Sequence, residues 1–180
     1  MTITAVCPGS FDPVTLGHLD IIRRAAQMFE RVLVVVMSNS QKTAAFSVAQ
    51  RCEMLKTVTA GMANVEIESH GGLLADYTRE KNAKAIVKGL RALSDFEYEF
   101  QMALTNKRLN PAADTVFLTA NAENMYLSSS LVKQVGMMGG DIRDFVPECI
   151  FDDIMKKFIK SNASCGPQGL GTRDSLSPKH

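Results

Sequence analysis

Residues 3–20 read ITAVCPGSFDPVTLGHLD, and the reading of this stretch decides the fold. Ile3 to Cys7 is a short apolar run of the kind that makes a buried strand, and Pro8, Gly9 and Pro13 predict a loop directly after it. From Leu16 the apolar residues Leu19, Ile22, Ala25, Ala26 and Phe29 return every three or four positions, so a helix is expected from near Gly17. A helix that opens straight after a strand leaves unpaired backbone N–H groups at its mouth, and anions bind at such mouths. His18 falls in the first turn, where the helix dipole and a ring N–H can both face a phosphate. This is the candidate active centre.

Working outward, Val32 to Met37 is a nearly continuous β-branched run, the pattern of a strand covered on both faces. Ser47 and Gln50 form a capping-box spacing ahead of a helix carrying Cys52, Leu55 and Val58 and ending at Gly61. Val65 to Glu68 reads as a third strand, Leu74 to Lys81 as a short helix after the Gly71-Gly72 break, and Ala85 to Lys88 as a fourth strand. Ser94 or Asp95 is placed to cap the next helix, whose stripe of Phe96, Phe100, Ala103 and Leu104 runs to Leu109 before Asn110-Pro111 stops it. Thr115 to Leu118 is the fifth strand, and a further helix begins near Ser128. From Pro147 a last helix with Ile150, Ile154, Met155, Phe158 and Ile159 is placed to cap the domain or meet another subunit.

Strand and helix alternate throughout, which points to right-handed βαβ units. The expected fold is a Rossmann-like open parallel five-stranded sheet with helices on both faces. Residues 1–160 form the expected domain, and 161–180, rich in Gly, Ser and Pro without apolar periodicity, read as a flexible tail. In such sheets ligands sit outside the carboxyl ends of the strands. The loops carrying residues 8–18, Lys42, Gly71-Gly72, Gly89 to Arg91 and Asn124 to Ser130 all follow such ends.

Composition narrows the classes. With 180 residues and 46% hydrophobic content, the chain suits one packed domain. A net charge of +1, from 20 basic against 19 acidic side chains, supplies no global field for nucleic acid or a membrane surface. Cys7, Cys52, Cys149 and Cys165 form no C-x-x-C pair, so neither a zinc site nor a disulfide framework is expected, and reduced thiols suit the cytoplasm. No signal core and no membrane-spanning apolar run is present, and an unexported protein is expected.

Residues 3–20 contain neither a G-x-x-x-x-G-K-[ST] loop nor a G-x-G-x-x-G loop. What they do contain, T-L-G-H at 15–18, fits the T/H-x-G-H signature of the adenylyl- and cytidylyltransferase superfamily. Together, PGSFDPVTLGHLDII at 8–22, KGLRALSDFEYE at 88–99 and LSSSLVK at 127–133 resemble the bacterial phosphopantetheine adenylyltransferases over about residues 1–160. The second motif is the most specific of the three.

That resemblance implies transfer of AMP from ATP to 4'-phosphopantetheine, giving dephospho-coenzyme A and pyrophosphate, with magnesium. The sequence offers no obvious carboxylate cage for the ion, so it is expected to ride on the ATP phosphates with no metal-ligating site in the protein. It implies that His18 stabilises the pentacoordinate α-phosphorus. Ser10 and Phe11 would border both substrates, with the Ser10 hydroxyl on the acceptor phosphate, which Lys42 and Lys88 would also bind. Gly89, Leu90 and Arg91 would meet the ATP, with Arg91 on its phosphates, and Glu99 would lie at the nucleotide site. Asn124, Met125, Tyr126, Leu127, Ser128, Ser129 and Ser130 would form the ATP-binding segment, and Leu74 would line the pantetheine arm through its backbone. A homohexamer and coenzyme A as feedback inhibitor are also implied. The chain departs from the family at position 88, where Arg is usual and Lys stands here.

Read as residues alone, each has a structural alternative. Lys42 could be solvated, Arg91 paired with Asp95 or Glu99, the serines a helix cap, Leu74 a core leucine and His18 a cap. Two rival functions share part of the pattern: a sister enzyme acting on nicotinamide mononucleotide or glycerol phosphate, and a non-catalytic nucleotide sensor. The long motif at 88–99 argues against the first, and the intact His18, Lys42 and Arg91 against the second.

Overall fold

The computed structural model describes residues 3–38, 43–91 and 93–164. Five parallel strands, β1 (Thr4–Gly9), β2 (Arg31–Met37), β3 (Val65–His70), β4 (Ala85–Leu90) and β5 (Asp114–Thr119), form one sheet in the order β3-β2-β1-β4-β5. Between and after them run α1 (Leu16–Met28), α2 (Val48–Thr59), α3 (Leu74–Glu80), α4 (Leu93–Leu109), α5 (Ser129–Met137) and α6 (Glu148–Ser164). This is the open α/β architecture expected from the alternation, with helices on both faces.

The two faces follow from the period of two along a strand. Ala5, Cys7, Val32, Val34 and Val36 point to one side, against Ile22 and Ala25 of α1, Leu55 of α2 and Ile154 and Phe158 of α6. Val6, Leu33 and Val35 point to the other, against Tyr77 of α3. Thus β2 is buried on both faces, as its unbroken apolar run requires. The expected capping box forms: Ser47 Oγ accepts from Gln50 N–H at 3.2 Å, and Gln50 Oε1 accepts from Ser47 N–H at 3.0 Å. α6 caps the domain, with Phe158 packed 5.7 Å from Phe46.

Several boundaries differ from the expectation. Pro8 and Gly9 belong to β1, because β1 stays in register with β2 up to Gly9 opposite Val36. Its pairing with β4, however, ends at Val6 opposite Ile86. Pro8 has no N–H to extend that ladder, and the two central strands part there. Gly89 and Leu90 likewise continue β4, paired with Leu118 and Thr119, instead of opening a loop. α4 starts at Leu93, so Ser94 and Asp95 lie within its first turn and not at its N-cap. Of its apolar stripe, Phe100 is 45% and Leu104 57% exposed, so periodicity here marks an uncovered face instead of core. Of the tail, residues 161–164 continue α6, and 165–180 lie outside the described residues.

Candidate active site

Where β1 and β4 part, a crevice of about 400 Å³ opens at the carboxyl edge of the sheet. The chain crosses from β3 on one side of β1 to β4 on the other, so the crevice is the topological switch point at which open α/β sheets take ligands. Ser10, Phe11 and His18 line it from the first loop and α1, Lys88, Gly89 and Arg91 from β4 and just past its end, and Glu99 from α4. Asn124, Leu127, Ser128, Ser129 and Ser130 close it from the segment before and at the mouth of α5.

His18 is both a cap and a wall of the crevice. Thr15 is the N-cap of α1, with its hydroxyl accepting from His18 N–H at 3.3 Å, and Thr15 N–H donates back to His18 Nδ1 at 3.1 Å. Since a backbone N–H can only donate, Nδ1 of a neutral ring carries no hydrogen and Nε2 does. A single N–H is therefore left for a ligand. The Phe11 ring meets the imidazole edge-on, with centroids 5.1 Å apart. Burial, then the nearby positive charges of Arg91 and Lys88, lower the His18 pKa to about 4. At neutral pH the ring is an uncharged donor among cations.

Those cations, both from the end of β4, are held by different partners. Lys88 Nζ lies 3.1 Å from one Glu99 oxygen and 3.4 Å from the other, and Arg91 Nη1 donates to the Leu127 carbonyl at 3.0 Å. Of the two partners open for Arg91 in the sequence, Glu99 is thus taken by Lys88. At the α5 mouth, Ser128 is the N-cap, its hydroxyl accepting from Leu131 N–H at 3.1 Å, and Ser129 Oγ donates to Pro13 O at 2.7 Å. The Ser129 hydroxyl thus spends its hydrogen on structure, whereas Ser128 accepts and keeps its hydrogen. The donors left for an anion are the Ser129 and Ser130 N–H groups, which have no intrahelical acceptor, and the Ser128 and Ser130 hydroxyls.

Two glycines differ in what they permit. A Cβ on Gly89 would lie 2.9 Å from Ile21 Cγ1, so this glycine lets α1 pack onto β4. A Cβ on Gly17 would meet Asn124 Cβ at 3.6 Å and Thr15 Oγ1 at 3.7 Å, ordinary contacts that the fold tolerates. Cys7 lines the crevice floor, but burial pushes its thiol up to about 12, which keeps it protonated and unreactive.

Some residues named from the sequence are elsewhere. Leu74 packs against the core cluster of Val6, Leu33 and Tyr77 and does not line the crevice. Met125 and Tyr126 are exposed beside it, and Leu90 ends β4 outside its lining. Lys42 lies outside the described residues. Conversely, sequence reasoning missed Asp12. This buried carboxylate accepts from Phe46 N–H at 2.9 Å, Ala45 N–H at 3.1 Å and Lys133 Nζ at 2.8 Å. It joins the first loop, the start of α2 and α5. No local signal could have found it, because its ion-pair partner is 121 residues away.

Comparison with known proteins agrees with this geometry. The cytidylyltransferase-like family model matches residues 6–135. A phosphopantetheine adenylyltransferase of Caldanaerobacter subterraneus is 52% identical over 157 residues, covering 87% of this chain and 98% of that protein. One from Clostridium botulinum is 54% identical over 154 residues, covering 86% and 94%. Among solved structures, the Plasmodium falciparum nicotinic acid mononucleotide adenylyltransferase complexed with NaAD superposes with a TM-score of 0.62 at 14% identity, covering 90% of this chain and 97% of that one, a likeness of fold alone. Since both sequence relatives run nearly end to end through the elements that build the crevice, the chain belongs to the phosphopantetheine adenylyltransferase family of cytidylyltransferase-like proteins.

Proposed function

We infer that this protein transfers the adenylyl group of ATP to 4'-phosphopantetheine, giving dephospho-coenzyme A and pyrophosphate. The observation that carries this reading is the placing of His18 at the start of α1 and of Lys88 and Arg91 at the end of β4 around one crevice at the switch point, in a chain 52–54% identical to proteins of that name. An oxygen of the acceptor phosphate attacks the α-phosphorus in line, the bond to the bridging oxygen breaks, and pyrophosphate leaves. The attacking phosphate is already an anion at neutral pH, so no general base is needed. The protein's task is alignment and stabilisation of charge in the transition state.

On this reading His18 donates its Nε2 hydrogen to an α-phosphate oxygen, strongest when charge on that oxygen peaks. Arg91 and the free N–H groups at the α5 mouth take the phosphates of ATP. Lys88 takes the acceptor phosphate, aided by the Ser10 hydroxyl and by Lys42. Glu99, engaged by Lys88 in the structure, keeps that ammonium in place. Magnesium enters as part of the nucleotide substrate, held by its phosphates. Coenzyme A, which contains the product, would compete for the same crevice as feedback inhibitor.

The proposal extends to a cytoplasmic homohexamer. Among the described residues no helix is long and apolar enough to cross a membrane. The uncovered face of α4, with Phe96, Phe100 and Leu104 exposed, offers an apolar surface for self-association. Light scattering should return six times the 19.7 kDa chain mass, and a monomer would refute this part. The test of the reaction is pyrophosphate release with ATP and, separately, 4'-phosphopantetheine, nicotinamide mononucleotide and glycerol phosphate. Release with the first alone is expected. Release with either other acceptor alone overturns the assignment, and ATP binding without release would make the protein a sensor.

A further inference from the structure

Arg51 of α2 is a buried guanidinium, 6% exposed, outside the lining of the crevice. Among the described residues both of its hydrogen bonds go to backbone carbonyls and none to a carboxylate: Nη1 to Ser10 O at 2.8 Å and Nε to Ser47 O at 3.4 Å. Desolvating a cation without an acidic partner is costly, and a function for it is the natural question. The answer lies in what the Ser10 carbonyl is attached to. The Ser10–Phe11 peptide is trans, so its C=O and N–H point in opposite directions. With the carbonyl drawn to Arg51, the Phe11 N–H is turned away from Arg51, and both Ser10 and Phe11 line the crevice. Phe11 N–H has no acceptor among the described residues.

Phe11 itself is strained, with φ +48, a conformation that bulky side chains rarely adopt. It is gripped from every side. Its ring lies over Gly9, where a Cβ would come 2.8 Å from Phe11 Cζ, and meets His18 edge-on. The residue after it, Asp12, is fixed by Lys133 and two N–H groups, and the peptide before it by Arg51.

We propose that Arg51 is a positioning residue for adenylyl transfer: by holding the Ser10 carbonyl it orients and polarises the Phe11 N–H as a fixed donor to the reacting phosphates. The proposal rests on the reaction assigned above. Removing one such donor from a site of developing negative charge typically costs about 10² to 10³ in turnover, and misaligning it somewhat less.

The test is steady-state pyrophosphate release by Arg51→Met and Arg51→Lys at a temperature where circular dichroism shows each folded. For Arg51→Met, kcat should fall by about 10 to 100-fold with KM for ATP changed by less than about threefold. A variant that melts lower yet turns over at the wild-type kcat while folded overturns the proposal, since that is what mere loop anchoring produces. So does a rise in KM that accounts for the whole loss. If Arg51→Met does not fold, Arg51→Lys decides: it keeps the charge but not the fork to two carbonyls, and a fall in kcat of about fivefold or more supports the proposal while wild-type kcat refutes it. Wild-type protein inactive with every acceptor would sink the reaction itself, an outcome distinct from an active wild type beside an equally active variant.

Discussion

Acidification is the perturbation that the His18 environment makes most informative. The ring is packed against Phe11, its Nδ1 is occupied by Thr15 N–H, and Arg91 and Lys88 stand near, so its pKa is lowered from 6.5 to about 4. Unfolded, the imidazole regains its ordinary value. Between pH 6.5 and about 4 the unfolded chain therefore binds a proton that the folded chain does not, and stability must fall as pH falls through that window. The full gap is equivalent to up to about 3 kcal/mol, present above pH 6.5 and lost by the time the folded ring protonates. The assay is urea unfolding at a series of pH values for the wild type and for His18→Gln, which removes the titration but keeps a polar side chain. Wild-type stability should drop more steeply than that of the variant between pH 6.5 and 4. In parallel, nitrogen NMR of the folded protein should show the His18 ring as the Nε2–H tautomer, with a midpoint near 4. Parallel stability curves, or a midpoint near 6.5, would refute the account of the ring as a neutral donor.

Other outcomes follow from the same geometry. Gly17→Ala should leave stability within about 1 kcal/mol of wild type, because its methyl group has room, yet raise KM for ATP by about tenfold or more if the nucleotide packs on that backbone. A variant as active as wild type would show that Gly17 is not a binding surface. Gly89→Ala should behave in the opposite way, losing about 1–3 kcal/mol in thermal or urea unfolding through collision with Ile21. Lys88→Arg, which supplies a planar fork in place of a point charge, should lower KM for 4'-phosphopantetheine and leave KM for ATP nearly unchanged; constancy of both would remove Lys88 from the acceptor site.

The parts of the molecule legible in the sequence are those fixed by local pattern. The β-branched run of β2, the Ser47 and Gln50 box and the stripe of α1 are decided within a few residues, and each appears where the pattern places it. Boundaries set by tertiary pairing were not legible. Pro8 and Gly9 look like strand breakers, and only the neighbouring β2 keeps them in register after β4 has departed. A periodic apolar stripe marks a surface to be covered but not what covers it, and in α4 that surface stays exposed. The candidate site divides in the same way. His18 was visible because its motif is contiguous, whereas Asp12 and Arg51 act through partners 121 and 41 residues away. The serine run carried two meanings at once, and the structure separates the Ser129 hydroxyl, which donates to Pro13, from the N–H groups and the other hydroxyls left for an anion.

The central claim is that a fixed, neutral His18 acts on the transition state and not on the bound nucleotide. Its most direct test is the kinetics of His18→Ala in the pyrophosphate-release assay. The account predicts a fall in kcat of about 10² or more with KM for ATP within about threefold of wild type. A loss shared equally between binding and turnover would contradict it.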